Sequence, residues 1–275
     1  MRPRTIRRTL LNALGVISAV IWFFPVYWMI RNAFGDDAGS GTPALLPRSF
    51  TLENFQTVFA DPQFWSAFTG SATVTGLTIV ISLAAAFLAA IAVTRFRFRG
   101  RSTAILSVLI IQMIPAEALF LSQFRMLDSW ALLNSFLGLS LMYVGLALPI
   151  TLWVLRGFVA GVPRDVEEAA MIDGCSQIGA FTRITLPMLM PGLVVSGIFC
   201  FLAAWNEYIL ALVIMSRDST ATLPLWLRTF SGLNQATDWG GTMAGSLVVA
   251  VPVIVIFLLV QNRMATGMSA GAVKG

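Results

Sequence analysis

The chain contains no histidine, and only one of its 18 basic residues, Lys274, is a lysine. Without imidazole there is no His-dependent catalytic triad, no HExxH zinc site and no histidine metal cluster. Without an internal lysine there is no Gly-x-x-x-x-Gly-Lys-Ser/Thr phosphate-binding loop, so any ATP the protein uses is held by another chain. Charge of both signs is scarce: Asp, Glu, Lys and Arg make up 11% of the 275 residues, where a soluble domain carries roughly 25%. Hydrophobic residues make up 57%, more than one soluble core of this length can hide. The composition is that of a membrane protein. The net charge of +5 sits in short arginine clusters separated by long apolar runs, which speaks against nucleic acid as a partner.

A charge at the bilayer centre costs roughly 2.5 to 3.5 kcal/mol, and about 20 apolar residues cross the hydrocarbon, so charge-free intervals mark the spans. Six emerge, at about 10–30, 67–93, 103–123, 136–155, 189–214 and 241–260. The third holds Glu117 and the fifth Glu207. The expected fold is all-α: one polytopic domain over residues 1–275 with six transmembrane helices, a structured loop at 156–188 and a C-terminal tail at 261–275. The first apolar run is longer than the 7 to 15 residues of a signal peptide, and no clear small-x-small site follows it. It is read as a retained helix kinked at Pro25.

With the N-terminus inside, thirteen basic residues fall on the cytoplasmic side and five on the other, which places both termini in the cytoplasm. Cys175 and Cys200 then lie at the cytoplasmic face and inside the bilayer, where neither favours a disulfide. Outside, TLENFQTVFA (51–60) suggests a short amphipathic helix, and the loop at about 216–240 carries Trp226, Phe230, Asn234 and Trp239.

The cytoplasmic loop 156–188 is the most patterned segment. Pro163 at an early helical position, Asp165, Glu167 and Glu168 in a first turn and Gly174 just past the end predict one short helix. Ser176 caps a second, and Pro187 and Pro191 mark the return to the membrane. Within this loop Glu168-Ala169-Ala170, three residues, Gly174, nine residues and Ile184-Thr185-Leu186-Pro187 give EAA-x3-G-x9-I-x-LP. That pattern resembles the loop carried by permease subunits of binding-protein-dependent ABC importers. The chain is similar as a whole to the carbohydrate branch of that family, the six-span subunit of maltose-type systems. The resemblance also rests on TLENF (51–55), RFRFRGR (95–101), WNEYILAL (205–212), TLPLWL (222–227) and GMSAGAVKG (267–275).

The resemblance implies a subunit of a bacterial inner membrane that imports a sugar or sugar-like solute and performs no bond chemistry. Its implied partners are a second permease subunit, two ATPase subunits or an ATPase dimer carrying ATP and Mg, an extracytoplasmic solute-binding protein and the lipid bilayer. The chain itself would hold no cofactor or metal. Glu168, Ala169, Ala170, Asp173, Gly174, Ile184, Leu186 and Pro187 are the implied coupling residues, and Gly271, Ala272, Val273, Lys274 and Gly275 the implied tail contact with the ATPase. Trp226, Phe230, Asn234 and Trp239 would meet the binding protein.

Inside the spans, Ser71, Thr75, Thr78, Ser82, Ala85 and Ala89 form one stripe and Gly192, Ser196, Cys200, Ala203 and Glu207 share another face, the pattern of helix-packing surfaces. Trp205, Asn206, Glu207 and Glu117 are the candidate pathway or gate residues, because ionisable groups in spans face a protein interior or an aqueous cavity. The competing reading is an ion-coupled secondary transporter with Glu117 and Glu207 as relay groups, which would need neither an ATPase nor the cytoplasmic motif.

Overall fold

The computed structural model describes residues 3–39, 44–216, 221–231 and 237–272. Apart from an isolated bridge between Gly35 and Phe50, the regular structure among them is helical. In chain order the α-helices are α1 (Pro3–Ala33), α2 (Glu53–Ala60), α3 (Pro62–Arg95), α4 (Arg101–Gln112), α5 (Phe120–Ser129), α6 (Phe136–Gly161), α7 (Asp165–Ile172), α8 (Gln177–Ala180), α9 (Leu186–Trp205), α10 (Ile209–Ile214), α11 (Leu223–Trp226) and α12 (Trp239–Ala272). Among the described residues, five helical runs are long and apolar enough to cross a membrane: Leu10–Ala33, Pro62–Arg95, Phe136–Gly161, Gln177–Trp205 and Trp239–Gln261.

Local chemistry sets several boundaries. The Asp61 carboxylate accepts the Gln63 backbone N–H at 2.8 Å, with Pro62 at the first helical position, so α3 starts on a cap and a pre-set φ. The Ser135 hydroxyl oxygen accepts the Gly138 N–H at 3.0 Å and starts α6.

The third expected span is broken ahead of Glu117, where Pro115 in the sequence marks a helix break. α4 stops at Gln112, a 3₁₀ turn covers Ala116–Leu119, and α5 leaves with a bend of 94°. Pro115 is the cause: it lacks an N–H and pushes the residue before it out of the α region. The last turn tightens ahead of it, with Met113 and Ile114 donating to Ile110 and Ile111 three residues back.

The fifth span also differs from the expected 189–214. The second loop helix does not stand apart but runs through a π segment, Phe181–Thr185, into α9. Pro187 and Pro191 cannot donate backbone hydrogen bonds; the widened turn lies just before them, and the helix continues through both. At the other end the helix stops at Trp205 and restarts at Ile209.

The chain divides into two compact units, Met1–Trp65 with Trp226–Pro252, and Ser66–Leu225 with Val253–Gly275. In the first, α1 is exposed along residues 10–27, apolar on every side as a helix bathed in lipid is. A polar knot follows it. Arg31 pairs with Asp37 at 2.7 Å, both buried, and the Asn54 amide donates to the carbonyls of Ala33 at 2.9 Å and Gly35 at 3.1 Å.

In the second unit, Ala86 and Ala90 of α3, Leu152, Leu155 and Val159 of α6, Val162 beyond it and Leu189 of α9 form one buried cluster. α6 and α9 approach closely because Gly192 has no side chain; a Cβ there would lie 2.5 Å from the Phe158 ring. Of the small-residue stripes, Ser71, Thr75, Thr78, Ser82, Gly192, Ser196 and Cys200 are buried, whereas Ala203 is exposed and the buried alanines of α3 are Ala86 and Ala90 rather than Ala85 and Ala89. Two buried threonines of this unit bond their own helices: Thr78 to the Val74 carbonyl at 2.8 Å and Thr151 to the Ala147 carbonyl at 2.7 Å. That keeps polar atoms satisfied where water is absent.

Candidate functional site

The loop between α6 and α9 is built from its caps outward. Arg164 starts α7 by accepting the N–H groups of Glu167 and Glu168 on its carbonyl. The helix closes on Gly174, whose φ of +93° is left-handed. The Gly174 N–H reaches the Met171 carbonyl and the Cys175 N–H reaches that of Ala170, the double bond of a glycine-terminated helix. The Ser176 hydroxyl oxygen then accepts the Gly179 N–H at 3.1 Å and starts α8.

This geometry divides the motif between two faces. Ala170 is buried, while Glu168, Ala169, Asp173 and Gly174 are exposed. Ala169 and Ala170 therefore do not form a single close-packing face: one packs inward and its neighbour points away. Ile184 and Leu186 are half-buried and Pro187 is exposed. Beside the helices lies a pocket of about 570 Å³ lined partly by Arg95, Glu168, Met171, Ile178 and Phe181. Ile172 and Ile178 stand out at 86% and 76% exposure, apolar side chains with no cover among the described residues.

Sequence reasoning missed what holds this loop in place. Glu167, the residue before the motif, accepts the Thr185 hydroxyl at 2.6 Å and lies 3.3 Å from the Arg95 guanidinium at the end of α3. Arg164 donates to the Arg95 carbonyl in return. Signals were present, since Arg95 opens the RFRFRGR block and Glu167 adjoins the motif, but no spacing rule joins residues so far apart in sequence.

Glu207 sits in the break after α9. Its carboxylate accepts the Leu210 N–H at 2.8 Å, the Ala211 N–H at 3.1 Å and the Tyr143 hydroxyl at 2.8 Å. It is a helix cap fixed to α6. Trp205 is buried and stacks on Phe201 with centroids 5.4 Å apart, while Asn206 is exposed and donates back to the Leu202 carbonyl at 2.9 Å. The three adjacent residues thus point to different surroundings. Glu117 is exposed on the 3₁₀ turn after Pro115.

Among the aromatic residues expected at the outer surface, Trp226 departs most from expectation. It is 1% exposed, donates from Nε1 to Asp61 at 2.9 Å and packs edge-on against Phe64 and Phe230. It anchors the fold of its segment and presents no contact surface. Phe230 is half-buried and Trp239 is 48% exposed. Asn234, Val273, Lys274 and Gly275 lie outside the described residues, and α12 runs on as helix through Gly271 and Ala272. Among the described residues no group of three or more Asp, Glu or Cys side chains is placed to hold a metal ion.

The long apolar helices define a multi-pass membrane protein. A family model described as binding-protein-dependent transport system inner membrane component matches residues 79–268. The diacetylchitobiose uptake system permease protein DasC of Streptomyces coelicolor is 39% identical over 266 residues, 96% of each chain. The trehalose/maltose transport system permease protein MalG of Thermococcus litoralis is 33% identical over the full length of both. The fold matches a chain in the crystal structure of a bacterial ABC transporter involved in the import of the acidic polysaccharide alginate, with a TM-score of 0.79 over 95% of this chain and 98% of that one, at 21% identity. The chain belongs to the family of binding-protein-dependent transport system inner membrane components; it is a permease subunit and not itself an enzyme.

Proposed function

We propose that this chain forms half of the translocation pathway of an ATP-driven importer for a sugar or sugar-like solute. A second permease subunit completes the pathway, an extracytoplasmic binding protein delivers the solute, and an ATPase dimer on the cytoplasmic side drives alternation. Both termini and the loop between α6 and α9 face the cytoplasm. Relatives named for diacetylchitobiose, trehalose/maltose, trehalose and starch degradation products support the solute class. The observation that carries the coupling role is the split motif: Ala170 and Thr185 are packed inward while Glu168, Ala169, Asp173 and Gly174 face outward. A loop fixed on one side and open on the other can accept a partner and move with it. Phe230 and Trp239 are the contact candidates toward the binding protein, and Gly271 and Ala272 lead into the segment that meets the ATPase.

The test is uptake into proteoliposomes containing the assembled complex, with ATP inside, no ion gradient and a panel of labelled sugars with their binding protein outside. ATP-dependent uptake of one of them is expected, with Glu168→Ala leaving the complex assembled but separating ATP hydrolysis from uptake. Normal uptake by that variant would remove Glu168 from the coupling role, and uptake driven by a proton or sodium gradient alone would sink the importer reading.

A further inference from the structure

We infer that Glu167 transmits the movement of the loop helix into the membrane, by tying three elements through one carboxylate; the inference rests on the importer reading above. Glu168 points outward, but its neighbour Glu167 turns toward the protein, with its side chain 24% exposed. One oxygen, Oε1, accepts the Thr185 hydroxyl at 2.6 Å and faces the Arg95 guanidinium at 3.3 Å. Thr185 is 1% exposed on the π segment that feeds α9. Arg95 is the last residue of α3, a position where a cation is favoured by the helix dipole.

The tie is reciprocal, because the Arg164 guanidinium just ahead of α7 donates to the Arg95 carbonyl. The end of α3 therefore holds α7 through its side chain and is held by it through its backbone. Apolar packing alone does not supply this grip. Ala170 is the only residue of α7 that is buried, and one alanine contributes little contact area. The Thr185 bond to the charged carboxylate is directional and stronger than a neutral one, and the Arg95 guanidinium adds charge attraction at 3.3 Å, so a push on α7 is carried along the carboxylate to α9 and α3 together. Phe181 of the π segment, in ring contact with Phe87 of α3 at 6.3 Å, gives the same three elements an apolar backing. Arg95 and Glu167 also stand in the wall of the pocket beside Glu168, so a partner element entering there presses on the side chains that hold α3.

Glu167 is in this sense a positioning residue, and its role is separable from folding. The experiment uses the complete complex in proteoliposomes, measuring solute transported per ATP hydrolysed together with the yield of ATPase subunit that co-purifies. Glu167→Gln keeps an oxygen for Thr185 but loses the charge; Arg95→Gln loses it from the other side. Each is expected to assemble at the parent yield and to lower solute per ATP about fivefold, the small end of allosteric coupling between sites. The reversed pair, Arg95→Glu with Glu167→Arg, is expected to recover part of that loss, because the charge pair returns while the Thr185 hydroxyl loses its acceptor at 167. A parent-like ratio in Glu167→Gln would overturn the inference. So would loss of assembly in both single variants without rescue by the reversed pair, since the pair would then be a static staple. A parent complex that shows no ATP-driven uptake would instead remove the importer reading, and the inference with it, before any variant is made.

Discussion

The Tyr143 hydroxyl donates to the Glu207 carboxylate at 2.8 Å, and that carboxylate also takes the backbone N–H groups of Leu210 and Ala211. A single acid thus closes the start of α10 and fixes the break in the fifth apolar segment to α6. Glu207→Ala should free both N–H groups and cost about 1 to 2 kcal/mol, the usual loss for a missing cap. Tyr143→Phe removes one bond and should cost about 1 kcal/mol. Thermal unfolding in detergent checks both. Glu207→Gln should be milder than Glu207→Ala, and uptake should fall only in step with stability. Abolished uptake at an unchanged unfolding midpoint would return Glu207 to a direct role in the pathway.

Arg31 and Asp37 give the segment after α1 an acid limit. The hydrogen bond from Arg31, together with its positive charge, holds the Asp37 carboxyl below the ordinary carboxylate range. The Ser49 hydroxyl and backbone N–H do the same for Asp36. A lowered pKa means that the folded form prefers the ionised acid. The stabilisation is therefore complete above the unfolded value and disappears as pH falls through the folded one, below about pH 4. Limited proteolysis across residues 34–52 should accelerate in that range and stay flat from pH 5 to 8. Asp37→Asn should be cleaved faster at neutral pH and should lose part of the acid dependence.

Two glycines that look alike in sequence should behave oppositely. A Cβ on Gly192 would lie 2.5 Å from Cγ and 2.8 Å from Cβ of Phe158, whereas one on Gly145 meets nothing within 4 Å. Gly192→Ala must push α6 and α9 apart and should cost about 1 to 3 kcal/mol, as overpacking does. Gly145→Ala should be neutral or slightly stabilising. Unfolding midpoints in detergent distinguish them, and equal midpoints would mean that the α6 and α9 contact is looser than these distances require.

The apolar segments were legible because charge is expensive in hydrocarbon, so gaps between arginines locate them. Where helices break within those segments was less so. Pro115, just ahead of Glu117, marks the first break in the sequence itself, but composition is continuous across Asn206–Tyr208, and hydropathy does not see a carboxylate turning back to cap the next helix. The loop caps at Ser176 and Gly174 could be read because each is a local backbone requirement. The placement of Trp226 could not, since the indole looks the same in sequence whether it faces water or Asp61. The Arg95 and Glu167 pair was hidden for a different reason: its members are brought together only by the packing of α3 against the loop, and neither sits in a repeating pattern.

Gly174 supplies the prediction that separates backbone from side-chain roles in the loop motif. Its φ is +93°, and a Cβ built there meets nothing within 4 Å, so room is not what selects glycine. The left-handed backbone is, because a Cβ there crowds the neighbouring carbonyl at a cost of roughly 1 to 2 kcal/mol. Gly174→Ala should pay that cost, loosening the bonds from Gly174 to Met171 and from Cys175 to Ala170 and leaving α7 frayed ahead of α8. Asn visits the left-handed region more easily than Ala, so Gly174→Asn should retain more function despite its larger side chain. The measurement is ATP-dependent uptake set beside co-purification of the ATPase subunit. The order parent, Asn, Ala in uptake marks a conformational requirement; Ala above Asn would mean that the partner surface rejects bulk at this position, and that glycine is there for contact rather than for its backbone.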